Sequence, residues 1–365
     1  MAEETEKRKA EHIKICLDEK AQARKTTAGF EDIQLIHRAL PEVNKHKIDL
    51  STTVFAHKFS APLIVGSMTG GTAKARRINV AIAEAVETLQ LGMGVGSQRA
   101  AIENPKLKET FSVARKKAPT AFLIANIGGI QLVNGIDVKE VKKAMEMIDS
   151  DALAIHLNAL HEAVQPEGQT NFKGVLAKII EIAEELDKPV IVKETGAGIA
   201  SEDAKKLEAA GVNAIDVGGS GGTSFAAVEY YRSEANSLKH FLGDAFWDWG
   251  IPTVVSLMET TQAINLPVIA SGGVRNGMDM AKALVLNACL ASVSQPVLKT
   301  AVKSAKDTEN LLSLLIEELR NVMFLVGAEK VDQLARVPVL VTGKTAEWLK
   351  TRGFNVEDYA RRGAR

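Results

Sequence analysis

The sequence predicts an α/β protein with the (β/α)8 (TIM) barrel fold, carrying an N-terminal arm and C-terminal helices. Three observations lead to that prediction. Eight short apolar runs recur along the chain, helical patterns separate most of them, and most runs end in a polar or glycine-rich tip. Runs that are continuously apolar and rich in Val and Ile are typical of strands buried on both faces of a parallel sheet. Eight strand-then-helix units form a closed barrel.

The apolar runs predict the strands in chain order, at residues 62–66, 92–96, 122–126, 152–156, 189–193, 213–217, 267–271 and 289–293. Apolar residues at helical spacing predict helices between them, over residues 78–89, 138–148, 176–186 and 204–210. In this fold the carboxyl ends of the strands form the rim where chemistry takes place. One mouth should therefore collect the polar residues that end four of the strands: Asn126, His156, Lys193 and Ser271.

Length and composition indicate one domain spanning residues 1–365, because 365 residues that are 46% hydrophobic suffice for one large core. We expect an N-terminal arm (1–55), the barrel (60–300) and a C-terminal helical extension (301–365). A helical period over residues 308–329 predicts an amphipathic helix that packs on the barrel or on a neighbouring subunit. The long connection between the sixth and seventh strands is rich in aromatic residues, which favours a lid or an oligomer contact.

Charge and cysteine content restrict the partners that we expect. Lys and Arg together number 45, as do Asp and Glu, so the formal net charge is zero and any anion site must be local. We therefore expect no nucleic-acid partner. The charged N-terminus has no apolar signal core and no run is long enough to span a bilayer, so we expect no membrane partner either. Two cysteines, Cys16 and Cys289, make no disulfide framework, which favours a cytoplasmic location.

Two glycine clusters predict a phosphate site. Ser271-Gly-Gly-Val-Arg275 follows the seventh strand and precedes a predicted helix, and Gly218-Gly-Ser-Gly-Gly-Thr223 follows the sixth. Glycines at a strand-to-helix turn let backbone N–H groups surround an anion, and the helix dipole assists. The alternative is that these glycines only form tight turns. Two clusters on adjacent strands favour phosphate, and flavin mononucleotide (FMN) is the phosphorylated cofactor that we predict.

Two strand tips agree with a flavin. A buried ammonium group at Lys193 can stabilise negative charge on a reduced flavin, and Asn126 can hydrogen-bond the edge of the ring. A lysine at a strand end is often only a salt-bridge partner. Its position among several converging polar tips favours function.

The chain resembles the type 2 (FMN-dependent) isopentenyl-diphosphate delta-isomerases in an ordered set of motifs that covers nearly its whole length. The motifs are Arg8-Lys-Ala-Glu-His12, Met68-Thr-Gly-Gly71, Met93-Gly-Val-Gly-Ser-Gln-Arg99, His156-Leu-Asn158, Gln165-Pro-Glu-Gly168, Val192-Lys-Glu194, Gly221-Gly-Thr-Ser224 and Ser271-Gly-Gly-Val-Arg275. The resemblance implies a barrel that interconverts isopentenyl and dimethylallyl diphosphate. It also implies FMN, Mg2+, NADPH as the reductant and a homo-oligomer, either a tetramer or an octamer.

The resemblance also implies roles for individual residues. The metal ligand would be Glu162, and the catalytic residues would be His161, Lys193 and His156. The cofactor-binding residues would be Met68, Thr69, Ser97, Asn126, Lys193, Thr223, Gly272, Gly273, Arg275, Ser294 and Gln295. The substrate-binding residues would be Arg8, Lys9, His12, Arg99, His156, Asn158 and Gln165.

The chain departs from the family pattern at position 161, where His161 replaces a glutamine that is thought to take part in proton transfer. Imidazole titrates near neutrality, so His161 could keep an acid/base role or ligate metal beside Glu162. Two alternatives stay open. One is an FMN-dependent oxidoreductase of the hydroxy-acid type that uses His156 and Arg275. The other is a catalytically degenerate barrel that still binds FMN or phosphate.

Overall fold

A computed structural model describes residues 2–18 and 21–363 of the chain and shows a closed, parallel, eight-stranded barrel. Each strand pairs with its neighbour in chain order, and the last pairs with the first. The predicted fold class and all eight predicted strands are confirmed. The strands are β1 (Leu63–Val65), β2 (Gly92–Gly94), β3 (Phe122–Gly128), β4 (Ala152–Leu157), β5 (Val190–Glu194), β6 (Ala214–Asp216), β7 (Val268–Ala270) and β8 (Leu290–Val293).

The register of β3 to β6 places four residues at one level of the barrel. Gly128 pairs with His156, His156 with Lys193, and Lys193 with Asp216. Directly paired residues of a parallel sheet face the same side, so these side chains converge inside the carboxyl end of the barrel. The absence of a side chain at Gly128 matters here, because a Cβ atom would lie 2.8 Å from Nε2 of His156.

Helices cover the outside of the barrel and carry their own start signals. The side chain of Thr72 accepts a hydrogen bond from the N–H of Ala75, and Asp137 forms a capping box with Glu140. The predicted helices are confirmed with small shifts at their ends. The helices between the strands are Ala73–Leu89, Arg99–Glu103, Glu109–Lys117, Gly129–Val133, Val138–Met147, Ala159–Val164, Val175–Glu185, Ser201–Ala209, Phe225–Arg232, Leu238–Ala245, Thr253–Ala263 and Gly277–Val285, and Gln295–Ala301 follows β8.

An antiparallel hairpin, Thr52–Val54 with His57–Phe59, closes the amino end of the barrel. Its Phe59 is fully buried and packs on Phe122 of β3, with ring centroids 5.4 Å apart. Apolar residues from alternate positions of the strands, including Ile64 and Ile191, complete this second core. Among the described residues, the hairpin thus closes one end of the barrel and leaves open the end where the polar tips lie.

The two terminal regions pack against each other as well as against the barrel. Strand Ile33–Leu35 pairs antiparallel with Val339–Val341, so the C-terminal region contains a strand in addition to the helices that the sequence predicted. Within residues 2–18 and 21–363, no helix has the length and apolar character needed to cross a bilayer. The remaining helices are Ala2–Leu17, Ala305–Val326, Gly343–Thr351 and Glu357–Ala360, and short 3-10 turns lie at Phe30–Asp32, Lys45–Lys47, Pro105–Leu107 and Val331–Arg336.

The hairpin at the amino end should contribute strongly to stability. Truncating a fully buried phenylalanine costs about 3–5 kcal/mol, because apolar contacts are lost and a cavity remains. We expect Phe59→Ala to lower the free energy of unfolding by that amount in urea denaturation. Leu40→Ala is the control, because Leu40 is 77% exposed and surface changes usually stay within about 0.5 kcal/mol. Equal changes in the free energy of unfolding for the two variants would contradict the packing of this hairpin, the hairpin plug, against the barrel.

Candidate active site

A cavity of about 290 Å³ opens at the carboxyl end of the barrel. It lies between the strand tips, the helix Ala2–Leu17 and the loops that follow β6, β7 and β8. Every residue that the sequence analysis named as a candidate lines this one cavity, although the role of each stays a prediction. The lining candidates are Arg8, Lys9, His12, Met68, Thr69, Ser97, Arg99, Asn126, His156, Asn158, His161, Glu162, Gln165, Lys193, Thr223, Gly272, Gly273, Arg275, Ser294 and Gln295.

The floor of the cavity contains a neutral imidazole. Nδ1 of His156 lies 2.8 Å from Oδ1 of Asn126, whose amide nitrogen donates to the carbonyl of Val95 at 3.1 Å. Burial, assisted by the charge of Lys193, lowers the pKa of His156 to about 3. Because the Asn126 oxygen accepts, His156 carries its proton on Nδ1 and presents an unprotonated Nε2.

Lys193 lies beside two carboxyl groups that the sequence analysis did not include among its candidate site residues. Its ammonium group donates to the backbone carbonyl of Glu194 at 2.7 Å. The Glu194 side chain caps the turn after β5 by accepting N–H bonds from residues 195–197. Asp216, the strand partner of Lys193, hydrogen-bonds Ser271. Burial raises the pKa of both Glu194 and Asp216. The cation therefore sits in a small polar network rather than in open solvent.

The glycine loops after β6 and β7 pack backbone against backbone. Gly272 and Gly273 have φ angles of +98° and +70°, which side-chain-bearing residues rarely adopt. A Cβ atom on Gly272 would lie 2.1 Å from the carbonyl oxygen of Gly219. At the base of the cavity, the hydroxyl of Ser292 is buried and makes no hydrogen bond within the described part of the chain. A glycine cradle with a buried, unused donor fits the phosphate of a nucleotide cofactor.

Glu162 is held by three donors on the opposite wall. Its Oε1 accepts from the Asn158 amide at 2.9 Å, and its Oε2 accepts from Gln165 and from the N–H of Gln169, each at 2.7 Å. The amide oxygens of Asn158 and Gln165 are buried and make no hydrogen bond within residues 2–18 and 21–363. A carboxylate accompanied by amide oxygens is the donor set that a hard cation such as Mg2+ prefers.

The mouth of the cavity is locally cationic. A chain without net charge can attract an anion only through such a local group of cations. Nζ of Lys9 donates to the carbonyl of Ser97 at 2.9 Å and lies 5.1 Å above the ring of Phe111. Burial, with a contribution from the neighbouring Arg8 charge, lowers the pKa of Lys9 to about 7. Arg99 joins this group and pairs with Glu103 at 2.6 Å.

The site contains a fully buried carboxylate that the sequence analysis missed. Glu229 is fully buried, and its Oε1 lies 2.8 Å from Nε2 of both His12 and His161. Burial alone would raise the pKa of Glu229, but the hydrogen bonds from the two imidazoles outweigh it and hold the pKa well below its ordinary value. One signal in the sequence could have located Glu229. It stands four residues after Phe225, which also lines the cavity, and residues i and i+4 share a helix face.

Comparisons with known proteins agree with this geometry. The model of the FMN-dependent dehydrogenase family matches residues 1–123 and 129–340. Isopentenyl-diphosphate delta-isomerase of Methanosarcina barkeri is 49% identical over 362 residues, which cover 99% of this chain and 98% of the relative. The corresponding protein of Methanothermobacter thermautotrophicus is 47% identical over 355 residues, with 97% and 99% covered. The chain belongs to the isopentenyl-diphosphate delta-isomerase family. That membership confirms the resemblance found in the sequence.

Solved structures of more distant proteins confirm the fold of this family member. A mandelate oxidase variant with a monooxide FMN adduct superposes with a TM-score of 0.62 at 19% identity, covering 88% of this chain and 94% of that one. A second, solved with a brominated hydroxy-methylphenylacetate, gives 0.63 at 20% identity, with 90% and 95% covered. At these identities the likeness shows the barrel and not the chemistry.

Burial of the floor imidazole makes stability depend on pH. Between its ordinary pKa of 6.5 and its lowered pKa of about 3, His156 binds a proton in the unfolded chain but not in the folded one. The free energy of unfolding should therefore fall as pH falls below about 6.5, by up to about 1.4 kcal/mol per pH unit. We expect His156→Gln to reduce this slope when urea denaturation is measured at pH 7, 6 and 5. An unchanged slope would contradict a buried neutral imidazole.

Proposed function

We propose that the chain interconverts isopentenyl diphosphate and dimethylallyl diphosphate. One observation carries the proposal: a relative 49% identical over nearly the full length is named isopentenyl-diphosphate delta-isomerase. The cavity that the candidate residues line is consistent with it. The reaction moves a double bond, so one proton must leave a carbon atom and another must reach a different one. The site must therefore hold the diphosphate at one end and control protons at the other.

FMN is the cofactor that the family implies, and the cavity has features that fit it. The glycine cradle at Gly272 and Gly273, with Ser294, Gln295 and Arg275, would hold the phosphate. The buried Ser292 hydroxyl, which lines the same cavity, would be a further donor. When bound and reduced, the flavin would supply an acid/base group beside the alkene. NADPH is the reductant that we propose. The residues that would contact the ring system are Met68, Thr69, Ser97, Asn126, Lys193 and Thr223.

The diphosphate end of the substrate would bind at the cationic mouth. Arg8, Lys9 and Arg99 would pair with phosphate oxygens, since charge-assisted hydrogen bonds of this kind are among the strongest in proteins. His156 would accept one further bond at its unprotonated Nε2, and Asn158 and Gln165 would support this wall. Glu162 would hold Mg2+, which neutralises the charge that remains on a diphosphate. His12 would shape the end of this wall.

His161 is the proton-handling side chain that we propose for this chain. Its Nε2 is fixed by the Glu229 carboxylate, which leaves the ring in one orientation. Phe225 covers the ring, with centroids 4.7 Å apart, and reduces its contact with water. A fixed imidazole of low exposure can take or return a proton at a defined point in the cavity. Glu229 acts here as a positioning residue.

The assembly and location of the chain remain proposals as well. The insertion between β6 and β7 exposes Leu238, Phe241 and Trp249, with relative exposures of 73%, 58% and 62%. Burying such side chains in a homo-oligomer, a tetramer or an octamer, would remove apolar surface from water. We propose this assembly for a cytoplasmic enzyme.

The direct test incubates the purified protein with FMN, NADPH, Mg2+ and isopentenyl diphosphate. We expect dimethylallyl diphosphate to form without stoichiometric loss of NADPH. His161→Gln should lower turnover by at least about 100-fold if His161 is the acid/base group. A rise from near zero in that variant would instead identify a degenerate natural chain. Reduction of the flavin by a hydroxy acid, with no product from the diphosphate, would favour the oxidoreductase alternative.

Binding of the diphosphate should take up a proton. At pH 8 most Lys9 is neutral, because its pKa is lowered to about 7, and a nearby diphosphate anion raises that pKa again. Calorimetric titration with isopentenyl diphosphate in buffers of different ionisation enthalpy should show uptake approaching one proton per chain. Lys9→Gln should abolish most of it. Arg8→Gln is the matched control. The Arg8 guanidinium is protonated both before and after binding, so its removal should weaken binding but leave the proton uptake in place.

A further inference from the structure

Three separate segments bring two imidazoles and a carboxylate together beside the cavity. His12 comes from the helix Ala2–Leu17, His161 from Ala159–Val164 and Glu229 from Phe225–Arg232. The ligand atoms of the three residues all lie within 4.8 Å of one another. The two imidazole rings have centroids 5.5 Å apart. Within the part of the chain that the structure describes, this is the group of three such side chains close enough to share an ion.

The surroundings orient this cluster and make it electronegative. Arg232 donates to Oε2 of Glu229, which turns Oε1 toward the imidazoles. The same guanidinium pairs with Glu11 at 3.1 Å and with Glu167 at 2.9 Å. Three carboxylates therefore face one arginine, and the second cation nearby, Arg8, lies 3.7 Å from Glu167. Counting these five groups leaves the neighbourhood with an excess of negative charge, which favours a dication.

The cluster differs from the Glu162 wall in direction and in chemistry. Successive residues of a helix point about 100° apart. Accordingly, His161 contacts Glu229, whereas Glu162 contacts Asn158, Gln165 and the N–H of Gln169. The ligand atoms available at the Glu162 wall are carboxylate and amide oxygens, which suit Mg2+. Two imidazoles with one carboxylate suit borderline metals such as Zn2+, Co2+ or Cu2+.

We propose that His12, His161 and Glu229 form a second metal site, which binds a borderline transition-metal dication such as Zn2+. Zinc bonds of about 2.0–2.1 Å place tetrahedral ligands roughly 3.4 Å apart. Oε1 of Glu229 must therefore move away from the two Nε2 atoms, which lie 2.8 Å from it, while all three ligand atoms already lie within 4.8 Å of one another. Each ring must turn its Nε2 proton over to Nδ1, which changes the tautomer without net proton release.

Occupation of this site would have a defined consequence for the proposed isomerase. The metal would take the Nε2 lone pairs of both imidazoles, so His161 could no longer exchange a proton with the alkene end of the cavity. The site would then act as an inhibitory one, sensitive to transition metals and not to Mg2+. Metal binding itself does not depend on the isomerase proposal, and it can be measured without substrate.

The test measures Zn2+ binding to the FMN-loaded protein by calorimetric titration, with millimolar Mg2+ present throughout and no substrate. We expect about one Zn2+ per chain. Loss of even an outer-sphere partner weakens metal sites about 10–100-fold, so His12→Gln and His161→Gln should each weaken binding at least about 100-fold. His37→Gln is the matched control, because His37 is exposed and is not part of the cluster. This variant should bind Zn2+ like the wild type.

A spectroscopic readout separates loss of a ligand from loss of structure. Cu2+ bound at the cluster should show electron paramagnetic resonance hyperfine structure from two imidazole nitrogens. His161→Gln should reduce it to one, while circular dichroism stays unchanged. Absence of Zn2+ binding in the wild type, retention of tight binding in either cluster variant, or displacement of Zn2+ by Mg2+ would overturn the proposal. These results stand apart from the isomerase assay, whatever that assay gives.

Discussion

The buried carboxylate of Glu229 is the interaction on which the arrangement of the cavity wall depends. It receives His12 from the N-terminal helix, His161 from the helix after β4, and Arg232 from its own helix. A carboxylate without partners would be too costly to bury, and removing one partner of a buried charge costs several kcal/mol. Satisfying it therefore requires the terminal arm and the β6–β7 insertion to close on the barrel together.

Burial also determines the chemistry of the floor. Strand register puts His156, Lys193 and Asp216 at one level, and the hairpin plug at the opposite end closes the barrel behind them. Away from water, a charge is stabilised only by neighbouring groups, so an imidazole stays neutral while Lys193 is held in a polar network.

The sequence predicted what local pattern can encode. Eight buried strands are recognisable in the sequence as continuous apolar runs, and a barrel brings their carboxyl ends together. The sequence therefore predicted that Asn126, His156 and Lys193 lie in one mouth. Features that depend on contacts between residues far apart in the sequence were not predicted. The strand pair Ile33–Leu35 with Val339–Val341 joins the chain ends through three residues each, too few to form a periodic signal. Glu229 reads as an ordinary helical glutamate, because its partners lie 68 and 217 residues away.

The histidine at position 161 gives this wall of the cavity chemical options that a glutamine would not. A glutamine there could donate one N–H to Glu229, and the imidazole does the same, so the buried carboxylate keeps its partner. The imidazole adds a second nitrogen with a lone pair, which an amide lacks. Because Nε2 cannot both donate to Glu229 and ligate a metal, the two roles that we propose for this ring, proton transfer and metal binding, would exclude each other. The free dication concentration would then decide which of the two states the wall adopts.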